Sequence, residues 1–119
     1  MNANETTELT HAGQCLDIYL NNTREIYERY TAPIISALVD NDHNNGGRTD
    51  WDNVINNLYH LDPCEPLCTL EGKIYRAIDK ARRLVNQYDG LTPTAKDIEQ
   101  VTRNYAGYIV DCAKYEIEK

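Results

Sequence analysis

Residues 69–90 read TLEGKIYRAIDKARRLVNQYDG, and this stretch decides the fold class. Its apolar positions Leu70, Ile74, Ile78, Ala81, Val85 and Tyr88 alternate steps of four and three, which aligns them on one face of a helix packed in a bundle. Thr69 offers a capping hydroxyl at the start and Gly90 a stop at the end. On the opposite face Lys73, Arg76, Lys80 and Arg83 repeat at three, four and three, a basic stripe flanked by Tyr75 and partly offset by Asp79.

The same period extends in both directions. Downstream, Thr92 followed by Pro93 predicts a helix start, with Ala95, Ile98, Val101, Tyr105, Ile109 and Ala113 on one face to about Ile117. Upstream, Leu9, Ala12, Leu16, Leu20, Ile26, Tyr27 and Tyr30 predict one long helix from about Thr7 to Tyr30. Pro33 would remove a hydrogen bond to the Arg29 carbonyl, so this helix is expected to kink or break there before resuming through Ile34 and Leu38. Residues 40–48 hold turn formers and read as an exposed loop; Thr49 with Asp52 resembles a capping box for a short helix through Val54, Leu58 and Tyr59. No segment alternates apolar and polar residues long enough for a central strand. The expectation is an all-α fold, a compact bundle of four to five helices forming a single domain over 1–119, with residues 1–6 frayed.

The chain carries 19 acidic and 12 basic side chains, a net charge of −7, and the imbalance lies in its first part: residues 1–72 hold 12 acids against 3 bases. Such a charge disfavours direct binding to nucleic acid or to an anionic membrane. No apolar run reaches the roughly 18 residues of a membrane span, and Met1–Glu5 lacks the pattern of a signal peptide, so a cytoplasmic protein with reduced thiols is expected. Nine tyrosines and no phenylalanine put hydroxyls on nearly every ring, which suits half-wet interfaces.

Few residue patterns carry chemistry. His60, Cys64 and Cys68 fall at four-residue spacing, but zinc sites pair two ligand clusters and this sequence has one. Glu25 and Glu28 share a helix side, as the magnesium-binding carboxylates of all-helical nucleotide hydrolases do; Asp79, Asp97 and Glu99 do not provide the facing pair, because a spacing of two puts Asp97 and Glu99 on different faces. Ser36 is the only serine, and no phosphate-cradling glycine loop or nucleophile elbow is present. No cofactor is implied.

The expected function is therefore that of a non-enzymatic interaction protein which binds another macromolecule and inhibits or modulates it. A phage- or plasmid-type antagonist of a host nuclease or defence complex fits, because carboxylates at intervals reproduce the field that a basic groove attracts. The partner-binding candidates are Asp40, Asp42, Asp50, Trp51, Asp52, Asp62 and Glu65, with Tyr75, Tyr108 and Tyr115 as aromatic anchors. The alternative is a small anion such as a nucleotide, or a nucleic-acid strand, held by Lys73, Tyr75, Arg76, Lys80 and Arg83. Ile18, Ile35, Val39 and Val110 are apolar beyond the needs of one seam per helix, so a homodimer is also compatible.

Overall fold

The computed structural model describes residues 8–59, 61 and 63–119, and among them every regular element is helical. Helix α1 covers His11–Asn22. Helix α2 begins as Arg24–Ile26, widens into a π-turn at Tyr27–Thr31 and continues as Ala32–Asn44. Helix α3 is Trp51–Leu58; α4 is Leu70–Leu84, closed by a second π-turn at Val85–Asp89; α5 is Ala95–Glu118. The all-α bundle of five helices matches the expectation from periodicity.

The predicted first helix is divided, and the division is at Thr23, where the backbone turns extended (φ −91, ψ 117). The reason is the phase of the apolar residues. In an unbroken helix Leu20 and Ile26 would point about 120° apart, at 100° per residue; with the break both are buried. The irregularity expected near Pro33 is present as the π-turn. Ala32 N–H bonds to the Tyr27 carbonyl, five residues back, and the widened turn makes room for the Pro33 ring. The extra residue also corrects phase: Ile26 and Ile34 would diverge by about 80° in a regular helix and by about 20° with one residue absorbed. Each such side chain contributes about 2 kcal/mol on burial, which outweighs the roughly 1 kcal/mol of a lost ladder bond.

Three other boundaries differ from the sequence reading. Residues 40–44 are helical, not loop, and Asp42 is buried: its carboxylate accepts a 2.6 Å bond from the Thr49 hydroxyl and its carbonyl a 2.8 Å bond from Gly47 N–H. The remaining loop turns through Gly46 and Gly47 at φ 74 and 77. With Thr49 engaged, Asp50 caps α3 instead, accepting from Asn53 N–H at 3.2 Å. In α5 the cap is Thr94, not Thr92, because Thr94 has Asp97 three residues on to complete a reciprocal capping box.

Asp97 also joins α5 to α1. Its carboxylate accepts from Thr94 N–H at 2.9 Å, from Thr10 N–H at 3.1 Å and from the Thr10 hydroxyl, while Thr10 itself caps α1. The helices approach so closely here that a Cβ at Gly13 would stand 2.6 Å from Asp97 Cγ. From this junction α5 runs against α1, α2 and α3, and α1 packs on α4. The core is Leu16, Leu20, Ile26, Ile34, Leu58, Ile74, Ala81, Val101 and Ile109 with their neighbours, and the Tyr105 phenol meets the Thr31 hydroxyl inside it at 2.6 Å.

Candidate functional site

The acidic residues singled out from sequence are not all on the surface. Asp40 and Asp52 are exposed, Asp42 is internal and Asp50 caps α3. The Glu65 carboxylate accepts from the Thr69 hydroxyl at 3.1 Å, and Trp51 is half-buried against the core. Asp62 lies outside the described residues, as does His60 of the metal candidate.

The basic stripe of α4 is drawn into the fold. Lys73 Nζ donates to the carbonyls of Leu67 and Cys68 at 3.1 and 3.3 Å, tying down the segment before α4. Arg76 reaches the Glu65 carbonyl and stacks 5.3 Å from the Tyr75 ring centre. Lys80 pairs with Glu25 at 3.6 Å and Arg83 with Asp79 at 3.0 Å, while Arg76 Nη1 is buried with no hydrogen-bond partner among the described residues. Glu25 also binds Arg29, and Glu28 binds Arg24; neither carboxylate is directed at a shared ion. No group of three His, Cys, Asp or Glu side chains able to hold a metal occurs among the described residues. Cys64 and Cys68 are exposed, Cys15 and Cys112 half-buried, and none is in a disulfide.

A concavity of about 570 Å³ lies elsewhere, between α2 and α5. Ala32, Ile35, Ser36 and Val39 line it from α2, and Tyr108, Asp111, Cys112, Tyr115 and Glu116 from α5, with Tyr27 at the π-turn. Three tyrosines stand open on this groove, Tyr27 at 50%, Tyr108 at 47% and Tyr115 at 66% exposure. Each α5 contributor recurs at three or four residues, a second stripe beside the core face, and Ile35 with Val39 forms the matching edge of α2.

Interaction with the neighbouring Cys112 thiol pushes the Tyr108 pKa above the ordinary tyrosine range, with partial burial and Tyr27 adding to the effect. The ring therefore stays neutral at physiological pH and its oxygen retains a proton to donate. Lys119 reaches Glu116 at 3.7 Å and lies 6.0 Å over the Tyr115 ring. Asp111 has no cationic partner among the described residues.

Tyr108, Tyr115, Ile35 and Val39 were readable as surplus apolar edges. Tyr27 was read on the apolar arc of the first helix and Cys112 on that of the last, while Asp111 and Glu116 were not singled out; Ser36, the only serine, is exposed, and Val110, read as surplus, is buried. The signal for the α5 residues was the recurrence of Tyr108, Cys112 and Tyr115 at four and three.

No protein-family profile, no curated protein and no solved structure matches this chain. Among the described residues no helix is long and apolar enough to cross a membrane.

Proposed function

We propose that this is a non-enzymatic interaction protein whose docking face is the groove between α2 and α5, and that its partner presents an amphipathic helical segment with Lys or Arg on its flank. The observation that carries this reading is the combination of three open tyrosines, an apolar floor from Ile35 and Val39, and the unpaired Asp111 carboxylate. Tyrosine brings large contact area with few rotors to immobilise, and it dominates binding hot spots. From Tyr108 to Glu116 the wall is about 12 Å long, two turns of helix, which matches apolar anchors at i, i+3 or i+4 and i+7 of a docked helix. Of the two lining carboxylates Glu116 is paired with Lys119 and Asp111 has no cationic partner among the described residues, and the chain as a whole carries −7, so a basic flank is the complementary one.

The narrower reading, a partner whose own groove binds nucleic acid, draws support from the net charge alone. Panning a random peptide library on the immobilised protein tests the broader one. Enriched peptides should show helical apolar spacing with Lys or Arg beside it, and should lose the Tyr108→Ala/Tyr115→Ala and Asp111→Lys variants. Peptides without that pattern, or ones that bind the variants as well as wild type, would remove the groove as the docking face. A second copy of the chain in the groove would instead appear as a dimer in native mass spectrometry that the tyrosine variants dissociate.

A further inference from the structure

A smaller cavity of about 260 Å³ lies toward the other end of α2, where its last turns meet α3 along its length and the first turn of α4. Leu38 and Leu58, both buried, form its floor together with Val54 and Leu70. Around that floor stand the carboxamides of Asn41, Asn53 and Asn57 and the carboxylates of Asp50 and Glu71. Asn45, also in the lining, is committed to the loop, donating to the Thr49 hydroxyl and accepting from Arg48 N–H. The other three carboxamides and Glu71 have no hydrogen-bond partner among the described residues. Asp50 accepts one bond, from Asn53 N–H, although a carboxylate offers about four acceptor positions.

The charge of the pocket sets the charge of its ligand. Two carboxylates line it and no cation does. Asp50 caps α3 and Glu71 lies in the first turn of α4, so two helix N-termini face the same region. Each contributes roughly half a positive charge, which leaves about one net negative charge to be matched. The acceptors outnumber the fixed donors, and the floor is aliphatic.

From these features we propose that the pocket binds a guanidinium group on a short aliphatic stem, carried either by a small free guanidine or by an arginine side chain of another protein. A guanidinium has one charge, five donors in a fixed plane and weak hydration, so it satisfies dispersed carboxylate and amide oxygens. An ammonium has three donors on a strongly hydrated point and leaves more of these acceptors unfilled. The stem lies along Leu38 and Leu58, as arginine methylenes do on apolar surfaces. This site is independent of the tyrosine groove.

Titration of the side-chain amide signals of Asn41, Asn53 and Asn57 by NMR decides the matter. N-acetyl-arginine amide stands for a partner's side chain, butylguanidinium for a free guanidine, and N-acetyl-citrulline amide is the neutral isostere. The arginine and butylguanidinium probes should give saturable shifts confined to these amides, with a dissociation constant of about 1 mM or tighter. Citrulline should bind roughly tenfold more weakly or worse. Tighter binding of butylguanidinium identifies a free ligand, and equal or tighter binding of the arginine amide identifies a side chain. Asp50→Asn retains the helix cap and Glu71→Gln retains shape; combined, they should abolish the shifts, while Tyr108→Ala/Tyr115→Ala leaves them unchanged. Equal binding of citrulline, absence of saturation, or undiminished binding by the Asp50→Asn/Glu71→Gln protein each overturns the proposal, and the citrulline comparison needs only the wild-type chain.

Discussion

At its N-terminus α5 uses a carboxylate to close the molecule, and nearer its C-terminus it leaves one open. Asp97 is 2% exposed and accepts bonds from both Thr10 and Thr94. Asp111, on the same helix, lies exposed in the groove lining with no cationic partner among the described residues. Buried acceptors must be matched because an unmatched one costs roughly 1–3 kcal/mol, whereas a solvated one is already matched by water. Stability therefore accounts for every contact of Asp97 and for none of the exposure of Tyr108, Tyr115 and Asp111.

Substitutions sharpen that contrast. Asp97→Ala strands the Thr10 and Thr94 donors and removes the α5 capping box, so the unfolding free energy from urea denaturation should fall by about 3 kcal/mol. A loss under about 1 kcal/mol would show that the two helix starts are held by packing instead. Burial raises the Asp97 pKa, but the Thr10 hydroxyl and the backbone N–H groups of Thr94 and Thr10 more than offset it, and the folded-state pKa is lowered. A lowered folded pKa adds stability that is complete above the unfolded value of about 3.9 and is lost as pH falls through the folded value. The advantage of wild type over Asp97→Asn should accordingly be constant near neutrality and shrink below about pH 4; an advantage unchanged by acid would contradict the assignment.

Gly13→Ala should come next, at about 2 kcal/mol, because the added methyl displaces a carboxylate that several hydrogen bonds hold in place. Tyr105→Phe should cost about 1 kcal/mol by leaving the buried Thr31 hydroxyl without its partner. At the open end Tyr115→Ala should change stability by less than about 0.5 kcal/mol, and a larger loss in the same denaturation experiment would mean the groove is structural. Its expected effect is on peptide binding.

Much of the bundle was legible because the sequence is locally consistent: Thr69 and Gly90 bound α4 where they were expected, and the α5 core face follows its period to Ala113. The misplacements have a common cause. Among the tyrosines assigned to apolar arcs, Tyr105 is buried and Tyr19 and Tyr30 are half-buried, but Tyr27 and Tyr88 are exposed. Tyr27 opens one π-turn and Tyr88 lies inside the other, although Tyr30, inside the first, keeps its place against the core. A period of 3.6 residues assumes an unbroken count, and a π-turn changes the count by about one residue. The break at Thr23 was hidden for a related reason, since neither proline nor glycine marks it and only the joint burial of Leu20 and Ile26 requires it. The groove was half legible: its apolar edges were visible as surplus, while its junction at Tyr27 depends on the π-turn. The start of the loop was misplaced because Asp42 has backbone and hydroxyl partners, Gly47 N–H and Thr49, that only the folded turn through Gly46 and Gly47 brings within reach.

The π-turn at Tyr27–Thr31 makes the molecule sensitive to length as well as to composition. Removing one residue between Tyr27 and Thr31 would let α2 wind without interruption and keep its phase, because Ile26 and Ile34 would then stand seven positions apart and diverge by about 20°. The loss would fall on the Pro33 ring, which would meet the carbonyl four residues before it. A residue inserted there would instead turn everything beyond it by about 100° relative to Arg24–Ile26, taking Ile34 and Leu38 out of the core together and Ile35 and Val39 out of the groove wall. A single-codon insertion in that segment would thus be far more damaging than replacing any of its exposed side chains, while the loop around Gly46 and Gly47, with open space about both glycines, is free of that phase constraint.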